Sequence, residues 1–377
     1  MCGECGEKNM HGGDIYRNNI AIDFSVNVNP FGVSERIRQS MIRSMPEVYP
    51  DLRCEGLREA IASCIGVQAE EILCGNGASE LFPAILHALR PGQAVIPTPS
   101  FGGYERAARA ADARIFYVPF CADAAGKETG IRNAASVDAD FAARVSASGD
   151  VLFLANPNNP TGTLLREERL REILDACHRW GMYVVLDECF AEFAEEMFCA
   201  AAWVREYPRL IVVRAFTKSF AIPGLRLGYL VCADGELRER IRLQLPEWNV
   251  SIVAQHAGIV ACAEYDGLRE MAAYVARERA WLVEELGRIR SAPHPVLQDL
   301  IVFPSAVNFL LLYTRFPLYE ALLRKKILIR DCSDFVGLGT GFYRIAVKRH
   351  EENSILCRAL WMLADQKTEE VHGTAKA

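Results

Sequence analysis

The sequence predicts an α/β protein with a three-layer α/β/α large domain on a mostly parallel sheet, together with a smaller α+β domain. Short apolar, β-branched runs alternate with helix-length segments from about residue 71 to residue 231, which is typical of a parallel sheet covered by helices on both faces. The following residues are first helical and then mix strands with helices. The chain has 377 residues, 51% of them hydrophobic, which is enough for a large core.

The elements are placed by local signals. Ser34 is a suitable N-cap for a helix that Pro46 stops, and Pro83 is compatible with a helix only near its first turn. The predicted strands cover residues 20–24, 72–74, 94–97, 115–118, 151–155, 183–186, 211–213, 227–231, 308–313, 327–329 and 343–347. The predicted helices cover residues 34–44, 55–65, 81–89, 104–111, 167–180, 236–245, 252–264, 268–289, 318–325 and 351–364. Residues 121–133 are predicted to form a loop and residues 291–297 a linker.

Composition argues against several classes of protein. The net charge is −6 and Lys and Arg form no cluster, so nucleic acid is not expected as a partner. The longest apolar run, residues 300–313, is too short to span a bilayer, and the N-terminus does not resemble a signal peptide. We therefore expect a cytoplasmic protein without membrane contacts. Thirteen cysteines fit reduced thiols, and the single CxxC of Cys2 and Cys5 lacks a second pair at zinc spacing, so no metal is expected.

Polar groups follow several strands of the predicted sheet. In open parallel sheets, ligands bind beyond the carboxyl ends of the strands. The glycine turn 75–80 follows one strand, Asn156 and Asp187 follow two others, and Lys218 lies in the loop after a fourth. Singly, each could be structural: a common turn, a loop amide, a helix cap or a surface lysine. Together they suit pyridoxal 5'-phosphate, which needs a phosphate seat, a partner for the ring nitrogen and a lysine that forms an imine.

These residues lie in motifs that resemble the fold-type I aminotransferase superfamily. The motifs are Asn156-Pro157-Asn158-Asn159-Pro160-Thr161-Gly162, Asp187-Glu188, Thr217-Lys218 and Gly224-Leu225-Arg226-Leu227-Gly228. The glycine turn and Tyr49-Pro50-Asp51 resemble the corresponding motifs of one branch of this superfamily. That branch contains histidinol-phosphate aminotransferase and threonine-phosphate decarboxylase of cobalamin biosynthesis. The resemblance covers residues 11–350.

The resemblance also implies a division of the chain. Residues 1–45 would form an N-terminal arm and part of the small domain. Residues 46–245 would form the large domain that binds pyridoxal phosphate. Residues 246–377 would supply an interdomain helix and the rest of the small domain, which is therefore formed by the two chain ends.

The resemblance further implies roles for the cofactor-binding residues. Lys218 would form the imine with pyridoxal phosphate and later move protons, and Asp187, with a depressed pKa, would pair with the ring nitrogen. Asn156 would bind the ring 3'-oxygen, and Tyr104 would stack on the ring unless it is an ordinary amphipathic helix position. Tyr49 would reach the cofactor phosphate of a neighbouring subunit, which implies a homodimer with shared active sites. The phosphate would contact Gly77, Ala78, Ser79, Thr217 and Arg226.

For the substrate, the resemblance implies a set of residues near the two chain ends. Arg344 matches the position that grips the α-carboxylate, and a guanidinium fork suits that group. Arg330 matches a position used for the substrate's own phosphate, although a surface arginine is the alternative. Asn29 would lie near the carboxylate, and His11 would bring an imidazole over the site on a flexible arm.

Two reactions remain open from the sequence. The bond at the substrate α-carbon that stands perpendicular to the cofactor ring is the one that breaks, so carboxylate positioning decides between loss of CO2 and transamination. His11-Gly12-Gly13, Phe190 in place of a tyrosine and residues 332–338 resemble threonine-phosphate decarboxylase. Asp14 and Cys189 depart from the more usual residues. The main hypothesis is decarboxylation of O-phospho-L-threonine to aminopropanol phosphate, and the alternative is histidinol-phosphate aminotransferase or another class I/II amino-acid aminotransferase.

Overall fold

The structure is a computed structural model, and it describes residues 12–44, 47–120, 140–146, 148–196, 198–293 and 296–364. The predicted loop 121–133 lies outside the described residues, as do Cys2, Cys5 and His11.

Strands and helices alternate along most of the described chain. The strands are β1 Ile22–Asp23, β2 Ile72–Gly75, β3 Gln93–Thr98, β4 Arg114–Pro119, β5 Val151–Ala155, β6 Tyr183–Asp187, β7 Leu210–Ala215, β8 Gly228–Val231, β9 Ile301–Val302, β10 Phe309–Tyr313, β11 Ile327–Leu328, β12 Arg330–Asp331 and β13 Phe342–Ala346. The helices are α1 Glu35–Arg43, α2 Glu55–Ile65, α3 Ala78–Leu89, α4 Gly103–Ala110, α5 Phe141–Ser146, α6 Glu167–Arg179, α7 Phe216–Ser219, α8 Gly235–Arg242, α9 Ile252–Cys262, α10 Leu268–Ser291, α11 Leu318–Arg324 and α12 His350–Ala364.

A seven-stranded sheet with the order β2-β8-β7-β6-β5-β3-β4 forms the centre of the large domain. Strands β3 to β7 pair in parallel, whereas β8 runs antiparallel to its neighbours β2 and β7. The predicted α/β fold with a mostly parallel sheet is therefore confirmed.

Both faces of this sheet are buried, which explains why its central strands are apolar throughout. Side chains alternate between the two faces of a strand. Leu152 and Leu154 of β5 accordingly join one core, which includes the apolar face of α6. Val151 and Phe153 join the other core, with α3, α4 and α8. Helices therefore cover the sheet on both sides.

The C-terminal part contains a second, antiparallel sheet with the order β12-β13-β10-β9. Close to it, β1 pairs in parallel with β11, so Ile22 lies opposite Ile327. Residues from near the start of the chain thus join residues from near its end. The domain boundaries themselves stay predictions.

The structure differs from the predicted elements at several short places. α3 begins at Ala78, three residues earlier than predicted, because Gly77 turns the chain with a φ of +87°. Lys218 lies in the four-residue helix α7 and not in a loop, and one helical turn is too short to give a periodic signal. The six-residue α5 and the two-residue β9 were not predicted for the same reason.

Within the described ranges, no helix combines the length and apolar character that crossing a membrane requires. In the same ranges, His, Cys, Asp and Glu side chains do not gather in groups of three or more as metal ligands would. The cysteines that the structure describes are free thiols.

Candidate active site

A cavity of about 870 Å³ lies at the carboxyl edge of the large sheet. Its floor includes residues at or just beyond the ends of β5, β6 and β7. The small sheet closes another side with Arg330 of β12 and Arg344 of β13. Side chains from distant parts of the sequence therefore meet in one space.

Lys218 reaches this cavity from the single helical turn α7, directly after β7. Asn29 fixes that turn, because its N–H donates to the Lys218 carbonyl (2.9 Å) and its Nδ2 donates to the Ser219 carbonyl (2.8 Å). Burial lowers the pKa of the Lys218 amine to about 8, and the positive charges of Arg344 and Arg226 act in the same direction. A substantial neutral fraction near pH 8 makes the amine a usable nucleophile.

Asp187, the last residue of β6, lines the same cavity. Its Oδ2 accepts a hydrogen bond from the Tyr104 hydroxyl (2.5 Å), and its Oδ1 accepts one from the Cys189 N–H (2.9 Å). Burial raises the pKa of Asp187, while the hydrogen bonds from Cys189 and Tyr104 lower it. The protein groups alone therefore do not give the depressed pKa expected from the sequence, which depends on a cation such as a protonated ring nitrogen beside the carboxylate.

Tyr104 is not placed to stack on a ligand ring, which corrects the expectation. Its side chain is fully buried behind the cavity wall, stacked on Phe153 with ring centroids 5.0 Å apart. Its hydroxyl is used by Asp187, so Tyr104 positions that carboxylate. Phe101, three residues earlier, lines the cavity and can cover a ring. The amphipathic pattern of α4 identified the buried position but not its aromatic neighbour in the preceding turn.

The loop after β5 contains a second correction. Asn156 donates to the Leu165 carbonyl (3.2 Å) and accepts from the Leu165 N–H (2.8 Å), so both ends of its amide serve the loop. Asn159 lines the cavity instead, and its Oδ1 accepts from Nη1 of Arg344. Because Arg344 uses the amide oxygen of Asn159, the amide nitrogen Nδ2 is the group that could donate to a ring oxygen. The repeated Asn-Pro pair of the sequence was the available signal for Asn159.

An anion seat lies at the N-terminus of α3. Ala78 and Ser79 begin this helix, and both line the cavity with Thr217 and Arg226. A Cβ on Gly77 would come within 2.7 Å of Nη2 of Arg226, so only glycine lets the guanidinium approach the turn this closely. Free helical N–H groups beside a guanidinium form a binding site for phosphate.

Of two neighbouring asparagines near the N-terminus, the expected one, Asn29, is turned away from the cavity, and Asn27 lines it. Asn29 does not line the cavity, because its side chain binds the Ser219 carbonyl and the Phe31 N–H. Asn27 lines the cavity, is buried, and has no hydrogen-bond partner for Nδ2 or Oδ1 among the described residues. Buried amides without partners are uncommon, so Asn27 is an additional candidate ligand contact. Sequence reasoning missed it because both asparagines precede the same turn.

The two arginines that were expected to bind the substrate, Arg330 and Arg344, lie directly opposite each other on β12 and β13. Arg344 donates through Nη2 to the Ser25 carbonyl (3.0 Å), and its guanidinium lies 5.3 Å from the Phe309 ring centroid. Burial lowers the pKa of Arg344 to about 10, and the charge of Arg330 contributes in the same direction. Arg330 forms an ion pair with Asp334 that the sequence did not predict. Both arginines are buried at the cavity wall, so Arg330 is not a surface residue.

Two further predicted residues lie away from the described cavity. Tyr49 is 79% exposed and packs on Trp248 at 4.9 Å between ring centroids, so it does not serve the cavity of its own chain. His11 is outside the described residues, but the adjacent Gly12 lines the cavity. A Cβ on Gly12 would lie 2.4 Å from the Ser25 carbonyl oxygen, so the chain passes very close to the site at this point.

The donor set fits pyridoxal phosphate on chemical grounds. Lys218 offers an amine of lowered pKa, Asp187 a buried carboxylate and Asn159 an amide. The positive charges of the anion seat and of Arg330 and Arg344 would neutralise anionic groups such as a phosphate and a carboxylate. The arrangement defines a fold-type I pyridoxal-phosphate enzyme.

Comparison with known proteins agrees with this class. The profile described as aminotransferase class I and II matches residues 19–360, and the chain belongs to that family. The chain is 34% identical over 347 residues to threonine-phosphate decarboxylase of Salmonella typhimurium, covering 90% of each chain. It is 33% identical over 345 residues to histidinol-phosphate aminotransferase 2 of Archaeoglobus fulgidus, covering 90% of this chain and 92% of the other.

A solved structure has the same fold. The histidinol-phosphate aminotransferase of Clostridium acetobutylicum superposes with a TM-score of 0.79 and 27% identity, over 91% of this chain and 99% of that one. The protein is therefore an enzyme that uses pyridoxal phosphate.

Proposed function

We propose that the enzyme decarboxylates O-phospho-L-threonine to aminopropanol phosphate, the reaction that the resemblance associates with cobalamin biosynthesis. The observation that carries the proposal is the opposed pair Arg330 and Arg344 on one cavity wall. O-phospho-L-threonine has a carboxylate for one arginine and a phosphate for the other. Histidinol phosphate has a phosphate but no carboxylate, so in transamination only the oxo-acid acceptor would bring carboxylates to these arginines. The similarity to the decarboxylase of Salmonella typhimurium also supports the assignment.

In this reaction the chain's own residues would bind the cofactor, orient the substrate and move a proton. Pyridoxal phosphate supplies the electron-withdrawing ring system. Asp187 would hold the ring nitrogen protonated, with Tyr104 keeping the carboxylate in place. Arg344, fixed by Asn159 and the Ser25 carbonyl, would hold the substrate carboxylate in the orientation from which CO2 leaves. Lys218 would return a proton to the substrate α-carbon, since its lowered pKa allows the amine to exchange protons near neutral pH.

Phe190 supports decarboxylation over transamination. Its ring lines the cavity and packs on Phe309 at 5.1 Å between centroids. By the resemblance, the aminotransferases of this branch usually carry a tyrosine at this position, so the apolar face favours the decarboxylase. Histidinol-phosphate aminotransferase remains the second candidate, because a relative of that name is 33% identical to this chain.

Offering the purified holoenzyme one substrate at a time separates the two reactions. O-phospho-L-threonine alone is expected to yield CO2 and aminopropanol phosphate in equal amounts, because a decarboxylation needs no second substrate. Histidinol phosphate with 2-oxoglutarate is expected to yield no glutamate. Trapped CO2 and product analysis by mass spectrometry measure both. Glutamate formation without CO2 release would replace the proposal with the aminotransferase.

We also propose that two copies of the chain form a dimer with shared active sites. Tyr49 and Trp248 are exposed on one surface, next to the exposed Val48 and Leu52, and apolar groups of this size favour burial. The resemblance supports a second copy at this surface, where Tyr49 would reach the cofactor phosphate of that copy. Sedimentation of the wild type should give the mass of two chains, and Trp248→Asp should shift it towards one. A wild type that sediments as a single chain would contradict the dimer.

A further inference from the structure

Arg330 and Asp334 form an ion pair inside the cavity wall. Nη2 of Arg330 donates to Oδ1 of Asp334 at 2.9 Å and to Oδ2 at 2.7 Å. Nη1 donates to the Asp331 carbonyl at 2.5 Å. Both terminal nitrogens of the guanidinium therefore already have an acceptor within the protein. An anionic ligand group that uses Arg330 must compete with Asp334 for it.

The two partners of this pair differ in their freedom to move. The Arg330 side chain is only 8% exposed, is held by the Asp331 carbonyl and lies 5.3 Å from the Phe335 ring centroid. The Asp334 side chain is 25% exposed and belongs to the loop between β12 and β13. Water can therefore reach the Asp334 carboxylate and hydrate it when it separates from Arg330. The carboxylate is therefore the partner that leaves.

The register of the small sheet explains why a negative charge at Asp334 is favourable in the free enzyme. Arg330 and Arg344 oppose each other across β12 and β13, and like charges in that position destabilise a sheet. Asp334 supplies a negative charge next to the pair, and its field raises the pKa of Arg344 while that of Arg330 lowers it. A bound substrate with two anionic groups would supply the same compensation.

We propose that Asp334 is an internal competitor for the substrate's phosphate: it occupies Arg330 in the free enzyme and is displaced when a phosphorylated substrate binds. This inference rests on the proposed function for the identity of the ligand group. Asp334 is then a specificity-determining residue, because it weakens every ligand that uses Arg330 and leaves ligands that do not reach it unaffected.

Removing the charge of Asp334 tests the inference. In the holoenzyme, Asp334→Asn is expected to bind inorganic phosphate about ten-fold more tightly than the wild type, because the competing carboxylate is lost. O-phospho-L-threonine should gain by a similar factor, whereas L-threonine, which lacks the phosphate, should not change. Isothermal titration with phosphate and spectral titration with the two amino acids measure these affinities. In Arg330→Ala the phosphate affinity should fall and the second change Asp334→Asn should add nothing.

Asp331→Asn is the matched control, since it removes one negative charge from the same segment without an ion pair to Arg330. If Asp331→Asn raised the phosphate affinity as much as Asp334→Asn, the gain would come from the lower negative charge alone, and the proposal would be overturned. Weaker phosphate binding in Asp334→Asn would also overturn it, because Asp334 would then hold Arg330 in place for the ligand. The phosphate titration is independent of the reaction. Failure of O-phospho-L-threonine to react would therefore count against the proposed function and not against the role of Asp334.

Discussion

Lys218→Ala is expected to abolish the visible absorbance band of bound pyridoxal phosphate and to slow the reaction by at least about 10²–10⁴-fold, the contribution of a positioned acid–base group alone. The lysine is the amine at the floor of the cavity, and the Asn29 contacts fix the turn that carries it. Without it, the cofactor has no imine partner in the site and the substrate carbon has no proton donor. Absorbance spectra and turnover on O-phospho-L-threonine measure the two effects separately.

A chemical readout makes the same prediction without turnover. Borohydride reduces an imine to a stable amine, so treatment of the wild-type holoenzyme should add the cofactor's mass to the peptide that contains Lys218. Lys325→Ala, a change outside the cavity, should leave both the label and the band intact. A labelled peptide elsewhere, or a band that persists in Lys218→Ala, would remove Lys218 from the proposed role.

Asp187→Asn is expected to have the second largest effect, a loss of about 200- to 5,000-fold in rate, corresponding to the 3–5 kcal/mol that breaking a buried charge pair costs. The amide keeps the shape, and its oxygen can accept from the Cys189 N–H while its Nδ2 donates to the Tyr104 hydroxyl, but it cannot stabilise a protonated ring nitrogen. Cofactor affinity should fall as well, because the charge interaction is lost in the resting enzyme. Stopped-flow kinetics and equilibrium dialysis of the cofactor measure these losses.

Tyr104→Phe is the matched comparison for this prediction. It removes the donor to Oδ2 of Asp187 and keeps the packing against Phe153. We expect a loss of about ten-fold, the lower end of the range that corresponds to about 1.5–3 kcal/mol for a hydrogen bond to a charged group, because the hydrogen bond from the Cys189 N–H remains. If Asp187→Asn were no worse than Tyr104→Phe, Asp187 would not be the charged partner of the ring.

The sequence predicted the sheet well because its strands are apolar on both faces and alternate with amphipathic helices. It also predicted that the glycine turn, Asp187 and Lys218 lie at one edge of the sheet, since a parallel sheet places the carboxyl ends of its strands together. These residues lie at or close to strand ends, and a strand end fixes the position of the next few residues. All of them line or adjoin the cavity.

Side-chain direction in the loops was not predictable in the same way. Asn156 and Asn159 are three residues apart, and the choice between them depends on the backbone of Leu165, which holds the first. Asn29 is likewise turned away from the cavity by the Ser219 carbonyl, a contact across 190 positions of the sequence. Such contacts follow from the packed structure and leave no local pattern. The ion pair between Asp334 and Arg330 was likewise not predictable, because it depends on the conformation of the loop that carries Asp334.

The opposition of Arg330 and Arg344 has a consequence for the length of the substrate. Their α-carbons belong to neighbouring strands of a hydrogen-bonded ladder, so the backbone holds them about 4.5–5.5 Å apart. Loops can adjust to a longer ligand, but two paired strands cannot separate without losing their hydrogen bonds. Both guanidinium groups are also buried and held by backbone carbonyls, so a longer ligand has little room to move them apart. A phosphorylated amino acid with one added methylene is therefore expected to bind more weakly than O-phospho-L-threonine. The fixed spacing of two paired β-strands would thus limit the length of the substrate that the enzyme accepts.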